Sequence, residues 1–187
     1  MVQTPVKPMT LDAFLALPET KPAREFIDGQ IIQKPMPKGK HSAIQTDLAP
    51  AINAIVRSPK IARAFNELRC SFGDDAIVPD ISIFVWDRIS REVDGSIANT
   101  FSAAPDWAIE ILSPGQSGTK VTKKLLHCLK YGTQMGWLID PEERSVLVYL
   151  SDQTITIYDQ PAAQLPVPTF AKGVILTVET LFDFLQD

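Results

Sequence analysis

From Asp106 to Asp159 the period of the apolar side chains changes twice, and this restricts the fold more than any other feature. "DWAIEIL" (residues 106–112) is an apolar run of strand length. "SPGQSG" is a turn, and residues 117–133 then place apolar side chains at helical spacing. "GWLID", "SVLVYL" and "TITIYD" return to short strands, parted at Pro141-Glu142 and Asp152-Gln153. Upstream, "TLDAFLAL" predicts a short helix capped by Thr10. "REFIDGQIIQKP" predicts a hairpin about Asp28-Gly29. Residues 41–57 carry Ile44, Leu48, Ile52 and Ile55 at spacings of three or four, which predicts a helix. Strands follow near 62–72 and 79–86 with a turn at "GDD", and residues 87–104 are irregular. The order predicts an α/β (α+β) chain with a mixed β-sheet flanked by helices. Its length of 187 residues suits one domain, 1–187, with a loose arm at 1–9 and a C-terminal extension at 160–187 ending in a short helix.

Two carboxylates stand out against this pattern. Asp80 follows Pro79 in "VPDISIF", where Ile81, Ile83 and Val85 alternate with Ser82, Phe84 and Trp86. An Asp at a strand start also serves as a turn cap. Glu110 is flanked by Ala108, Ile109, Ile111 and Leu112, which leaves little room for a solvated carboxylate. The plain alternative is an edge strand with one outward Glu. Two carboxylates on neighbouring strands suit Mg²⁺ or Mn²⁺, a hard cation that keeps several waters and needs few protein ligands. Bringing like charges together raises one carboxyl pKa unless a cation neutralises them.

A lysine beside such a pair would orient water and offset charge at a phosphodiester. At 100° per residue, Val121, Leu125, Cys128 and Leu129 centre about 85° from Lys124, so Lys124 borders the buried stripe. Lys120, one turn earlier, is second, and Lys123 and Lys130 face water. A snorkelling lysine on a helix shoulder is the competing reading.

Other features bound the function. The net charge of −4 argues against a nucleic-acid coat protein but leaves room for a nucleic-acid enzyme. Basic residues gather at Lys34, Lys38, Lys40 and His41, at Arg57, Lys60, Arg63 and Arg69, and at Lys120, Lys123, Lys124 and Lys130; solvated surface is their ordinary reading. No apolar run reaches the roughly 18 residues of a membrane helix. The opening "MVQTPVKPMT" has no apolar core of a secretory signal. Two cysteines, Cys70 and Cys128, make no disulfide framework, and a cytoplasmic location is expected.

"VPDISIF", "PDWAIEILSPGQSGTKVTKKLLHCLKYGTQMGWLIDP" and "REFIDGQIIQKPMPKGKHS" together resemble the Uma2 family of restriction-endonuclease-like proteins in the PD-(D/E)XK superfamily. The resemblance spans roughly residues 10–150 and implies a restriction-endonuclease-like core, Mg²⁺ (or Mn²⁺) as cofactor and DNA as partner. It carries the motif's acids onto Asp80 and Glu110. The superfamily's lysine lies two residues after the second acid, where this chain has Leu112. The family moves the lysine to the next helix, which matches Lys124. Glu25 corresponds to an early Glu that adds a contact to metal-bound water, although a surface strand Glu is its more ordinary reading. His41 and Ser113 are candidate phosphate or water contacts, as is Lys120. The expectation is a DNA endonuclease in which Asp80, Glu110, Lys124 and Glu25 are catalytic and Asp80 and Glu110 bind the metal. The alternative is a catalytically degenerate binding or regulatory module. A small-molecule hydrolase is weaker, because no substrate pocket is marked. A double-strand cutter usually needs two active sites, so a homodimer is a further expectation.

Overall fold

The computed structural model describes residues 9–186, so the expected arm is described only at its last residue. A short helix, α1 (Leu11–Leu15), opens the chain, and the Thr10 side chain accepts from Ala13 N as its cap. The hairpin forms as β1 (Arg24–Ile27) and β2 (Gln30–Gln33). Asp28 and Gly29 both take positive φ, 51° and 74°, as a tight hairpin turn requires. Helix α2 (Gly39–Val56) starts two residues before its expected bound and contains Pro50. Ile44, Leu48 and Ile52 are buried, but Ile55 is 44% exposed and Val56 takes the inward place.

The segment expected as one strand near 62–72 is divided. It gives β3 (Ala62–Asn66) and β4 (Cys70–Phe72), and β4 turns back into β5 (Asp75–Ile77). The break falls at Glu67, which has φ 49° and donates its N–H to Asp80 O at 3.1 Å. Next come β6 (Ile81–Val85), β7 (Trp107–Ile111), α3 (Gly118–Lys130), β8 (Met135–Asp140), β9 (Ser145–Leu150) and β10 (Ile155–Tyr158). Helix α4 (Val178–Phe182) closes the chain with Leu181 and Phe182 fully buried.

Two sheets result. One has the order β2-β1-β5-β4; the other has the order β10-β9-β8-β7-β6-β3. In the larger sheet only β7 and β8 run parallel, joined through α3, and the rest is antiparallel. Strand alternation sorts its side chains to two faces. Ile81, Ile83, Trp107, Ile109, Trp137 and Ile139 pack with Ile44, Leu48 and Ile52 of α2. Phe84, Ala108, Leu138 and Tyr149 pack with Val121, Leu125 and Cys128 of α3. Gly136 lets α3 come close: a Cβ there would lie 3.2 Å from Leu125 Cδ2. The outer edge at β3 is closed by Asn53, whose amide donates to Ala64 O at 3.0 Å and accepts from Ala64 N at 2.9 Å. Among the described residues, no helix is long and apolar enough to cross a membrane.

Candidate active site

The site lies where β6 begins and β7 ends, on the face covered by α3. The register pairs Ile81 with Ile109, and one further step along both strands sets Asp80 opposite Glu110. Glu110 therefore shares the α3 face with Ala108. Strand β7 lies between β6 and β8, so Glu110 is on an interior strand rather than an edge. Both carboxylates are buried, at 2% and 1% exposure. Burial on that scale demands partners.

Asp80 is held from several sides. Its Oδ2 accepts from Ile111 N at 2.7 Å. Its Oδ1 accepts from Lys34 Nζ at 2.7 Å and stands 3.4 Å from His41 Nε2. Its backbone carbonyl accepts from Gln45 Nε2 at 2.8 Å. Burial pushes its carboxyl pKa up, but Lys34, His41 and Lys124 outweigh burial and hold it well below the ordinary range. His41, in the first turn of α2, places Nδ1 3.2 Å from Ser113 Oγ.

Lys124 lies at the centre of the second group. Its Nζ donates to Glu25 Oε1 at 2.8 Å and is 2.8 Å from Glu110 Oε1, the latter without hydrogen-bond alignment. Glu25 Oε1 also accepts from Val78 N at 2.8 Å. Burial pushes the Glu110 carboxyl up to about 7 despite the ammonium. Burial disfavours charge on Lys124 too, but Glu110, Glu25 and Asp80 prevail and raise its pKa. Lys124 remains ammonium, and Glu110 is poised to take a proton.

Every candidate except Lys120 is buried in or beside this cluster. Asp80, Glu110, Lys124, Glu25, His41 and Ser113 come together through the contacts above. Lys120 is exposed, as are Lys123 and Lys130. Among the basic clusters, Lys38, Arg57 and Lys60 are exposed, and Lys40 forms an exposed ion pair with Glu142 at 3.0 Å. Lys34 departs from its surface reading. Only 8% exposed, it donates to Val78 O and to Asp80 Oδ1, both at 2.7 Å. Gln45, which no motif marks, joins the site through the Asp80 carbonyl. The position two residues after the second acid holds Leu112, half-buried, whose N–H donates to Ile139 O at 2.9 Å.

The donor set fits a hard divalent cation. Asp80 and Glu110 offer carboxylate oxygens from facing positions, and Glu110 Oε1 is buried with no aligned hydrogen-bond partner. Among the described residues, no group of three or more His, Cys, Asp or Glu side chains gathers for metal binding. Such a site suits an ion that keeps much of its water.

A profile of the Uma2 family, described as "Putative restriction endonuclease", matches residues 11–179. Among solved structures, the chain is similar to a protein from Anabaena variabilis ATCC 29413 described as "a putative nuclease belonging to DUF820". The two are 61% identical, the match covers 95% of this chain and 99% of that one, and the TM-score is 0.94. No curated protein matches. The profile match spans most of the chain and includes Glu25, Asp80, Glu110 and Lys124. The chain belongs to the Uma2 family.

Proposed function

We propose that the protein is a Mg²⁺-dependent endonuclease that hydrolyses DNA phosphodiester bonds, acting in the cytoplasm as one domain. The observation that carries this reading is the facing pair Asp80 and Glu110, with the Lys124 ammonium 2.8 Å from Glu110. Asp80 and Glu110 would hold Mg²⁺ or Mn²⁺, which when bound supplies charge stabilisation at the phosphate and a more acidic water. Lys124 orients the attacking water and offsets charge on the scissile phosphate. Glu25, itself fixed by Val78 N, aims Lys124. His41 and Ser113 present an imidazole and a hydroxyl beside Asp80, where they can donate to a phosphate oxygen. Hydrolysis forms a bond from water oxygen to phosphorus, breaks the bond to the leaving sugar oxygen, and delivers a proton to that oxygen. Exposed Lys38 and Lys120 are suited to sequence-independent phosphate contacts.

The degenerate-module reading rests on Leu112 standing where the superfamily has lysine. An ammonium already sits against Glu110 from α3, which favours the enzyme. The test is nicking of supercoiled plasmid with Mg²⁺ or Mn²⁺, comparing the parent with Lys124→Met. The expected result is nicking by the parent and a loss of at least about 100-fold in the variant, the scale for one donor at a developing charge. No cleavage by the parent across metal and salt conditions overturns the nuclease reading.

A further inference from the structure

Lys34 occupies the place on Asp80 that a cation needs. Asp80 Oδ2 is taken by the Ile111 N–H at 2.7 Å, which leaves Oδ1 as the carboxylate oxygen for an ion. The Lys34 ammonium lies 2.7 Å from that Oδ1 and donates also to Val78 O at 2.7 Å. Lys34 follows β2 and precedes the exposed segment Pro35, Met36 and Pro37, so its long stem enters the site from a sheet margin. A cavity of about 670 Å³ lies beside Val78, the residue whose carbonyl Lys34 holds, and its lining includes Met36, Pro37, Glu19, Glu67, Arg63 and Arg69.

Three buried carboxylates, Glu25, Asp80 and Glu110, face two buried ammoniums, Lys34 and Lys124. Without Lys34, Asp80 would keep the Ile111 N–H, His41 and the field of Lys124, but no ammonium in direct contact, against the repulsion of Glu110. We propose that Lys34 is a built-in placeholder cation: it neutralises Asp80 while the site is empty of metal, and yields Oδ1 when a divalent ion binds. The displaced ammonium moves toward the adjoining cavity, whose lining includes the carboxylates Glu67 and Glu19, the latter paired with Arg69 at 3.1 Å. The placeholder keeps the acidic pair stable without an ion and makes loading a cation exchange, at a cost in apparent metal affinity. This inference rests on the metal reading of Asp80 and Glu110.

Amine acylation of the whole protein, read by mass spectrometry with and without saturating Mn²⁺, tests it directly. Lys34 is expected to be protected without metal and to label severalfold faster with it, while exposed Lys123 labels equally in both. Calorimetry of Mn²⁺ binding to the parent and to Lys34→Met is the second measurement. The variant is expected to bind at least about tenfold more tightly, one cation contact no longer having to be broken. Metal binding to the parent with Lys34 still protected overturns the placeholder and leaves the metal site standing. Equal or weaker binding by a folded Lys34→Met does the same. No binding by either protein overturns both readings.

Discussion

At the scale of single residues, the site balances buried charges, and each partner's removal has a signed consequence. Lys124→Met leaves Glu25 and Glu110 facing each other in the interior. Breaking a buried pair from one side costs about 3–5 kcal/mol, which urea unfolding near neutral pH should show. The deficit should shrink on acidification, because Glu110 takes a proton readily, its pKa being pushed up to about 7. The sign for the parent is the same. Between the ordinary carboxyl value and about 7, native Glu110 binds a proton that the unfolded chain does not, so its contribution to stability grows as pH falls through that window. Asp80 acts in the opposite sense. Its depressed pKa gives stability that is present above the ordinary carboxyl value and is lost as pH drops through the folded one. Loading a divalent ion must expel the Glu110 proton. Calorimetry at pH about 6 in buffers of different ionisation enthalpy should therefore register release of up to about one proton per ion, and none well above pH 7. Buffer-independent heats at the lower pH would contradict a proton held on Glu110 in the metal-free protein. The cysteines give a separate check. Burial pushes the Cys70 thiol up to about 12 and Cys128 well above its usual value, and both are fully buried. Neither should react with an aromatic disulfide reagent until the protein unfolds.

At the scale of elements, the site is held by the register of β6 on β7 and by the docking of α3 across them. The edge of that sheet depends on one side chain. Asn53→Ala removes both hydrogen bonds to Ala64 and should cost about 1–3 kcal/mol in denaturant unfolding. A variant within error of the parent would show that water replaces the amide freely. Much of this level was legible in the sequence. The apolar runs around Asp80 and Glu110 are strands, Asp28-Gly29 makes its hairpin, and the wheel on α3 singles out Lys124 as the lysine turned inward. The division of residues 62–77 was not legible, because it turns on Glu67 adopting a left-handed φ, which no local turn residue announces. Its N–H is satisfied by Asp80 O, thirteen positions away in sequence but adjacent in space. Lys34 was hidden for a similar reason. Its partners, the Val78 carbonyl and the Asp80 carboxylate, lie more than forty residues away between β5 and β6, and a lysine near prolines reads as surface unless that contact is known. Glu25 was visible only through the family resemblance, since its burial depends on Lys124 reaching it from α3.

At the scale of the whole molecule, the larger sheet carries hydrophobic cores on two faces and holds the candidate site's charged groups where β6 begins and β7 ends. Those groups divide into two linked sets, Asp80 with Lys34 and His41, and Glu110 with Lys124 and Glu25. The acidic net charge of −4 coexists with exposed Lys38 and Lys120 and half-buried Arg63, the side chains through which the proposed nuclease would meet a polyanion. Nicking by the parent should accordingly weaken as salt rises, since phosphate contacts release counterions. A rate independent of salt would argue that these side chains do not touch the backbone. The most direct measurement is anomalous diffraction from crystals soaked in Mn²⁺. A single strong peak between the Asp80 and Glu110 carboxylates is the expected result. Absence of density there, at a concentration that saturates binding in solution, or a peak only elsewhere on the protein, would contradict it.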